Sequence, residues 1–347
     1  MFRGIVFAAV LVLLVLAGGA LQLREVWLQP MSLPQGGATI TIARGESLQH
    51  VLRRAQDQQW VSHAKWIGWI ARWHGMDEQV KAGEYQVDAP LSASEFIQML
   101  ALGAVKQYTV TLPEGITLAE AIAVLQSHPK IATTPAAQLE ADLLELVGRD
   151  DSAEGLFLPE TWAFNGGDRE FDVLKRAHRA LSELLTELWE RRPSDSPLDS
   201  PYAALTLASI VEKETGVASE RPQIAGVFLR RLTMGMRLQT DPTVIYGLGA
   251  DYDGDLKRRH LRDTGNRYNT YAIAGLPPTP IALAGEAALR AVFAPDDSES
   301  LYFVAKGDGS HAFSASLAEH EENVRRYQLR RREDYRSSPS QPNAGSQ

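Results

Sequence analysis

The stretch Ser200–Tyr246, SPYAALTLASIVEKETGVASERPQIAGVFLRRLTMGMRLQTDPTVIY, organises the second half of the chain. It begins as a helix should, because Ser200 can cap the first turn and Pro201 suits the first helical position. Gly216 is the expected C-terminal stop of this helix. The stretch therefore predicts an apolar helix that ends in a charged turn.

Two glutamates lie in that last turn. At about 100° per residue, Glu214 falls on the apolar face with Leu207, Ile210 and Val211, whereas Glu212 falls well off it, toward solvent. A carboxyl on the buried face at a helix C-terminus is desolvated and lies near the negative end of the dipole, which raises its pKa. A general acid acting on a glycosidic oxygen requires such a protonated carboxyl. A surface helix with frayed, charged last residues is the alternative.

Composition limits the classes of function. The 347 residues predict two or three domains, and the 44% hydrophobic and 22% charged content is that of a globular protein. The net charge of −8 gives no electrostatic support to nucleic-acid binding. The lack of cysteine excludes disulfides, thiolate metal sites and a cysteine nucleophile, and His320–Glu322 lacks the second histidine of a zincin. We therefore expect no metal and no cofactor.

The N-terminal segment Ile5–Leu23 is uncharged and long enough to span a bilayer. Arg3 precedes it, whereas the charges directly after it balance, so residues 1–4 are predicted to be cytoplasmic and the bulk of the chain exported. A cleaved signal peptide, with Ala17–Ala20 as the cleavage region, is the alternative. The length of the apolar core favours a single-pass anchor.

A linker at 24–38 leads into a repeated pattern of strand, glycine, hydroxyl cap and helix. The first copy spans 39–88 and closes on a returning strand, and the second spans 108–130. Such β–α–α–β units resemble LysM modules, which bind glycans that contain N-acetylglucosamine. We therefore predict a LysM-like region over 39–130, with one or two units.

The first copy contains a tryptophan-rich helix. Trp66, Trp69 and Trp73 have helical spacing, which predicts that they pack in the core. A platform on which sugar rings stack is the alternative.

Residues 131–335 form the predicted catalytic domain, which is mainly helical, and 336–347 are expected to be a disordered tail. The basic pair Arg230–Arg231 is expected on a solvated face. Polar side chains occur among turns and small residues, where a substrate can approach the backbone. They form three motifs: Glu212–Thr215, Met236–Thr243, and Tyr268–Tyr271 followed by Gly275–Pro278.

These motifs, with EGLFLPETW at 154–162 and LYFVAKGDGSHAFSASLAEH at 301–320, resemble the YceG-like family over nearly the whole chain. The resemblance implies an α+β protein with an N-terminal transmembrane helix, a LysM-like region and a mainly helical, lysozyme-like or YceG-like catalytic domain. It implies a lytic transglycosylase that cleaves the β-1,4 bond between N-acetylmuramic acid and N-acetylglucosamine within peptidoglycan glycan strands. The product then carries a 1,6-anhydro-N-acetylmuramic end.

The resemblance also implies roles for individual residues. Glu214 becomes the catalytic acid and then base. Gln239 and Asn269 are expected to hydrogen-bond acetamide groups or developing charge, and Tyr268 or Tyr271 to pack on a sugar or hold Glu214. The full set of expected substrate-binding residues is Thr215, Gln239, Asp241, Tyr268, Asn269 and Tyr271, and the supporting residues are the pair Glu220 and Arg221, with Glu160 in the cleft.

Asp241 has two interpretations. As a second catalytic carboxylate it would activate a water for hydrolysis. Followed by Pro and Thr, it equally suits a turn residue that accepts backbone N–H bonds, and this structural role is favoured. The alternatives to a transglycosylase are therefore a muramidase-type hydrolase that uses Glu214 and Asp241, and a non-catalytic glycan-binding cell-wall adaptor.

The resemblance implies a location and partners as well. The chain is expected in the bacterial inner membrane with its bulk in the periplasm. Its expected partners are the glycan strands, the membrane and peptidoglycan synthases (penicillin-binding proteins).

Overall fold

The computed structural model describes residues 2–43, 45–88 and 91–329. The tail predicted at 336–347 lies outside the described residues. The fold is α+β, as predicted. The helices are α1 Phe2–Leu28, α2 Leu48–Asp57, α3 Ala64–Trp73, α4 Ala93–Leu102, α5 Leu118–Ser127, α6 Ala136–Val147, α7 Glu170–Glu190, α8 Pro201–Glu214, α9 Arg221–Thr233, α10 Asp241–Leu248, α11 Arg258–Leu261, α12 Glu286–Phe293 and α13 Leu317–Tyr327.

The strands are short and form two-stranded sheets, β1 with β2, β3 with β4 and β5 with β6. Their bounds are β1 Ala38–Ile42, β2 Gly83–Val87, β3 Gln107–Thr111, β4 Thr161–Asn165, β5 Tyr302–Ala305 and β6 His311–Ser314. The described residues fold into two compact units: those within 2–108 together with Ala163–Asp168, and Thr109–Trp162 together with 169–329.

The first unit contains the predicted order of strand, two helices and strand. β1 and β2 are antiparallel, with Ala38 opposite Val87 and Ile42 opposite Gly83. Ser47 caps α2 by accepting a hydrogen bond from the backbone N–H of His50. Residues of α2, α3 and α4 form the core beneath this sheet.

The core position predicted for the three tryptophans of α3 is wrong. Trp66, Trp69 and Trp73 are 54%, 55% and 78% exposed. Helical spacing places the three tryptophans on one face of α3 but does not determine whether that face points inward or toward solvent. The inward face of α3 carries smaller side chains. These are Ala64, Ile67, Ile70 and Ala71.

Helix α1 contains the predicted apolar segment. Within the described residues, Val10–Leu28 is the one stretch that is long and apolar enough to cross a membrane. The last turn of α1 packs on the first unit, because Val26 and Trp27 lie against its core.

Helix α8 is the central helix of the second unit and packs against α7, α9, α10 and α12. Ser200 caps it and Pro201 is its first residue, as predicted. The helix ends at Glu214 with Thr215 as its C-cap, so Gly216 lies directly after the helix end, as predicted. The helix ends because Thr215 is extended (φ −143°, ψ 135°), and the Thr215 hydroxyl accepts a hydrogen bond of 2.9 Å from the N–H of Val217.

Candidate active site

The two glutamates at the end of α8 lie in different surroundings. Eight consecutive residues, Ala204 to Val211, are buried, so the helix has no solvent face in this region. The solvent exposure predicted for Glu212 is therefore wrong, since its side chain is 5% exposed. Its carboxylate accepts hydrogen bonds from Nη2 of Arg221 at 2.9 Å and from the N–H of Gly285 at 3.0 Å. Glu212 is a paired, structural carboxylate.

Glu214 is half-buried and accepts a hydrogen bond from the hydroxyl of Thr240. Burial raises the pKa of Glu214 to about 7, and the negative charge of Asp241 adds to this. The Thr240 hydrogen bond and the positive charge of Arg231 act in the opposite direction. Near neutral pH, Glu214 is consequently present in both the protonated and the ionised form.

Thr240 was not singled out from the sequence. It is the N-cap of α10, a position at which a hydroxyl usually accepts a hydrogen bond from the first turn. Here the hydroxyl donates to Glu214 instead. Thr240 is held by its N–H, which donates to the Thr270 hydroxyl at 3.0 Å, and by its carbonyl, which accepts from the Thr243 hydroxyl at 2.8 Å. The TDPT pattern signals a helix start but not this contact.

Asp241 and Tyr271 form a second pair beside Glu214. The Tyr271 hydroxyl donates a hydrogen bond of 2.7 Å to the Asp241 carboxylate, and burial raises the pKa of Tyr271. Asp241 is exposed as the first residue of α10. Its charge is therefore accessible to solvent and also acts on Glu214.

Gln239, two residues before Asp241, has a strained backbone. Its φ is +53°, in the left-handed region that non-glycine residues rarely adopt. Its N–H donates to the carbonyl of Thr270 at 3.2 Å, and its side chain is exposed. Such strain costs about 1–3 kcal/mol and is common at functional sites. The exposed amide of Gln239 is available to a ligand.

Arg231 does not lie on a solvated face, so that prediction is wrong. It is buried, and its guanidinium donates to the carbonyls of Leu238 at 2.8 Å and Leu301 at 2.7 Å. These bonds fix the chain just before Gln239. The charge of Arg231 also stabilises the ionised form of Glu214.

Asn269, for which the resemblance implied a substrate contact, faces the protein interior. Its side chain is fully buried, and its Oδ1 accepts from the N–H of Tyr271 at 3.0 Å. Its Nδ2 donates to backbone carbonyls of His260, Leu261 and Asp263. Asn269 therefore holds the loop that carries Tyr271.

Tyr268 also belongs to the scaffold. Its hydroxyl shares a hydrogen bond of 2.9 Å with Thr279. Its ring packs edge-on against Tyr246, with centroids 4.9 Å apart. Of the two tyrosines of this motif, Tyr271 is the one that hydrogen-bonds a residue of the site.

Glu220 supports the residue that follows Glu214. The Thr215 hydroxyl donates to Glu220 at 3.2 Å, and His311 contacts the same carboxylate through Nδ1 at 2.7 Å and its backbone N–H at 2.8 Å. All three residues are buried. Thr215 is thereby held by its neighbours rather than presented to solvent.

Glu220 and Arg221 do not form a pair with each other, since each has other partners. Arg221 bridges Glu212 and Glu114, the latter at 3.4 Å. Glu160 is exposed, and its charge is one of the causes that raise the pKa of Glu114, after burial and Glu212. Arg221 therefore belongs to the surroundings of Glu212, whereas Glu160 acts on Glu114.

The structure offers no three-residue cluster of His, Cys, Asp or Glu placed to hold a metal ion anywhere in 2–43, 45–88 and 91–329. The groups that act on Glu214 are the hydroxyls of Thr240 and Tyr271, the carboxylate of Asp241 and the guanidinium of Arg231. They suit proton transfer and hydrogen bonding to a polar ligand.

Comparisons with known proteins find relatives that share one name. The chain is 28% identical over 329 residues to the endolytic murein transglycosylase of Bacillus subtilis (strain 168), which covers 89% of this chain and 90% of that protein. It is 26% identical over 319 residues to the protein of the same name from Streptococcus pneumoniae serotype 2 (strain D39 / NCTC 7466), which covers 82% of this chain and 57% of that longer protein.

A solved structure is also similar. The crystal structure of a YceG-like protein from Listeria monocytogenes has a TM-score of 0.53 and 26% identity, and covers 83% of this chain and 99% of that one. The model of the YceG-like family matches residues 40–326, which is most of the chain. The chain belongs to the YceG-like family.

Proposed function

We propose that the chain is an endolytic lytic transglycosylase of peptidoglycan. It cleaves the β-1,4 bond between N-acetylmuramic acid and N-acetylglucosamine within glycan strands and leaves 1,6-anhydro-N-acetylmuramic ends. The observation that carries the proposal is the half-buried carboxyl of Glu214, with a pKa of about 7, among polar side chains. The name shared by the two relatives supports the substrate class.

In the first step, protonated Glu214 donates its proton to the glycosidic oxygen. The bond from that oxygen to C1 of the muramic residue breaks, and positive charge develops at C1. Burial favours the protonated form that this step needs. The exposed amide of Gln239 is suited to hydrogen-bond an acetamide group of the sugar.

In the second step, ionised Glu214 takes the proton of the muramic O6 hydroxyl, and O6 forms a bond to C1. The Thr240 hydrogen bond and the charge of Arg231 stabilise the ionised carboxylate at this stage. One carboxyl therefore serves as acid and then as base. A pKa near the operating pH suits both roles.

A muramidase-type hydrolysis is the second candidate, and the exposure of Asp241 is the observation that favours it. An exposed carboxylate can activate a water for attack at C1. The Tyr271 hydroxyl engages this carboxylate, which supports a positioning role for Asp241 instead. The two reactions differ in the end group of the product.

We propose further that α1 anchors the chain in the bacterial inner membrane, with a cytoplasmic N-terminus and a periplasmic bulk. The apolar stretch Val10–Leu28 supports the anchor. The β–α–α–β order of the first unit supports a LysM-like module. An anchored enzyme could act on nascent strands beside peptidoglycan synthases.

The proposal is tested by strand shortening. The full chain in detergent is incubated with uncrosslinked glycan strands, and product length is followed by size-exclusion chromatography. Glu214→Gln should abolish shortening, whereas Glu183→Gln, at an exposed position on α7, should retain it. A Glu214→Gln variant that cuts like the wild type would exclude the acid role. Strand binding without cutting by the wild type would instead indicate an adaptor.

A further inference from the structure

We infer that Trp66, Trp69 and Trp73 form a membrane-contact surface, which lies in the headgroup region of the bilayer that α1 spans. This inference rests on the proposed anchor. The proposed catalytic mechanism does not involve the tryptophans of α3, and the membrane is the partner that we assign to them.

The three side chains make one continuous exposed surface. The rings of Trp66 and Trp69 meet edge-on with centroids 6.5 Å apart, and those of Trp69 and Trp73 stack at 6.5 Å. Each is more than half exposed. Neighbouring large aromatic rings in water are unfavourable, and such patches mark contact sites.

The tryptophan surface lies beside the C-terminal turns of α1. One groove is lined by residues of α1 from Gly19 to Val26, by Gln29 after that helix, and by His63 and Trp66. At the other end of α3, Trp27 of α1 stacks on His74 with centroids 5.8 Å apart.

His74 in turn contacts Trp73, with centroids 5.6 Å apart. Helix α3 therefore packs against the last turns of α1.

This is the level at which the apolar sequence of α1 gives way to charge. Leu23 ends the uncharged run, and Arg24 and Glu25 follow it. When α1 spans a bilayer, the residues around Leu23 lie at the lipid–water interface. Trp66 lines the same groove as Leu23 and Gln29, so the tryptophan surface lies beside the part of α1 in which the apolar run ends.

The chemistry of the surface matches that interface. Tryptophan is enriched at headgroup level, where its ring is apolar and its N–H can reach a polar partner. At about 100° per residue, the exposed Lys65 and Arg72 fall next to the tryptophans on α3. Arg72 also pairs with Asp77 at 2.9 Å. Basic side chains at this depth attract anionic lipid phosphates.

A label on a single cysteine tests the surface, because the chain has no cysteine of its own. The full chain carries Trp69→Cys, labelled with an environment-sensitive fluorophore, in liposomes of phosphatidylethanolamine and phosphatidylglycerol. The control is Asp57→Cys, at an exposed position at the end of α2. Lipids that carry a headgroup nitroxide should quench the label at 69 several-fold more than that at 57. Equal quenching at the two positions overturns the inference.

A third label separates this inference from the anchor itself. Val12→Cys lies in the apolar part of α1 and should be quenched by an acyl-chain nitroxide. Quenching at 12 without quenching at 69 overturns the membrane surface and leaves the anchor intact. A label at 12 that is not quenched overturns both.

A sugar platform is the outcome that would replace the membrane surface. The probe is an N-acetylglucosamine oligomer added to the liposome-bound chain, with intrinsic tryptophan fluorescence as the readout. A fluorescence change that the triple variant Trp66→Ser, Trp69→Ser, Trp73→Ser lacks, combined with a lipid-insensitive label at 69, would assign the surface to glycan. No sugar response together with quenching at 69 supports the membrane.

Discussion

The hydroxyl of Thr240 donates a hydrogen bond to the carboxyl of Glu214, across a sequence separation of 26 residues. The contact joins the start of α10 to the end of α8. It favours the ionised carboxylate, whereas burial and the charge of Asp241 favour the protonated acid. The pKa of about 7 is the balance of these effects, and each can be changed separately.

Thr240→Val should raise the pKa of Glu214, because it removes a hydrogen bond to the ionised form. Since the first step needs the protonated acid, wild-type activity is expected to fall as the pH rises through about 7. This fall is the alkaline limb of the profile of kcat/KM against pH. In the variant the alkaline limb should move to higher pH. Thr240→Ser keeps the hydroxyl and should keep the limb in place, so an equal shift in both variants would contradict the account.

Asp241→Asn should act in the opposite direction. Removing the negative charge that raises the pKa of Glu214 should lower that pKa and move the alkaline limb to lower pH. The measurement is the same pH profile, and strand cutting should persist in the variant. Complete loss of cutting at every pH would instead identify Asp241 as a second catalytic carboxylate.

The stability of the fold should depend on the proton of Glu214. The pKa of Glu214 is 4.5 in its unperturbed state and about 7 in the folded chain, so the folded state binds more protons between these values. The free energy of unfolding should therefore fall as the pH rises through this window, by up to about 3 kcal/mol.

Glu214→Gln removes this pH dependence. The variant should resemble the wild type near pH 4 and be more stable near pH 8, as measured by calorimetry of the detergent-solubilised chain. Glu183→Gln, at an exposed position on α7, is the control. A constant difference between Glu214→Gln and the wild type at both pH values would argue against a raised pKa.

Glu212→Gln should affect stability rather than chemistry. It removes the carboxylate that pairs with Arg221, whose side chain is 11% exposed, and leaves that cation with Glu114 at 3.4 Å. Breaking a buried ion pair by removing one partner costs about 3–5 kcal/mol. The melting temperature should fall while cutting persists at low temperature. Loss of cutting with an unchanged melting temperature would reverse the roles given to Glu212 and Glu214.

The sequence predicted the helices that carry the site more accurately than it predicted the contacts between their side chains. Local signals were sufficient for α8, because the Ser200 cap and Pro201 act within one turn of helix. The helical face did not separate Glu212 from Glu214 correctly, because α9 and α12 cover the side assigned to solvent. Periodicity describes one helix, whereas burial depends on every helix that packs against it.

Tertiary contacts explain the remaining differences. The roles of Thr240 and Arg231 depend on partners far along the chain, and no local pattern encodes them. Asn269 was assigned to the substrate on the family resemblance, but backbone carbonyls of its own loop use its amide. For the tryptophans of α3, spacing identified the shared face but not whether it lies inward.

The central claim is that Glu214 alone serves as acid and then base, and mass spectrometry of the product ends tests it most directly. Uncrosslinked glycan strands are digested by the wild type, Glu214→Gln and Glu183→Gln, and the new termini are identified. The account predicts 1,6-anhydro-N-acetylmuramic ends from the wild type and Glu183→Gln and none from Glu214→Gln. Reducing N-acetylmuramic ends from the wild type, or anhydro ends that persist in Glu214→Gln, would contradict it.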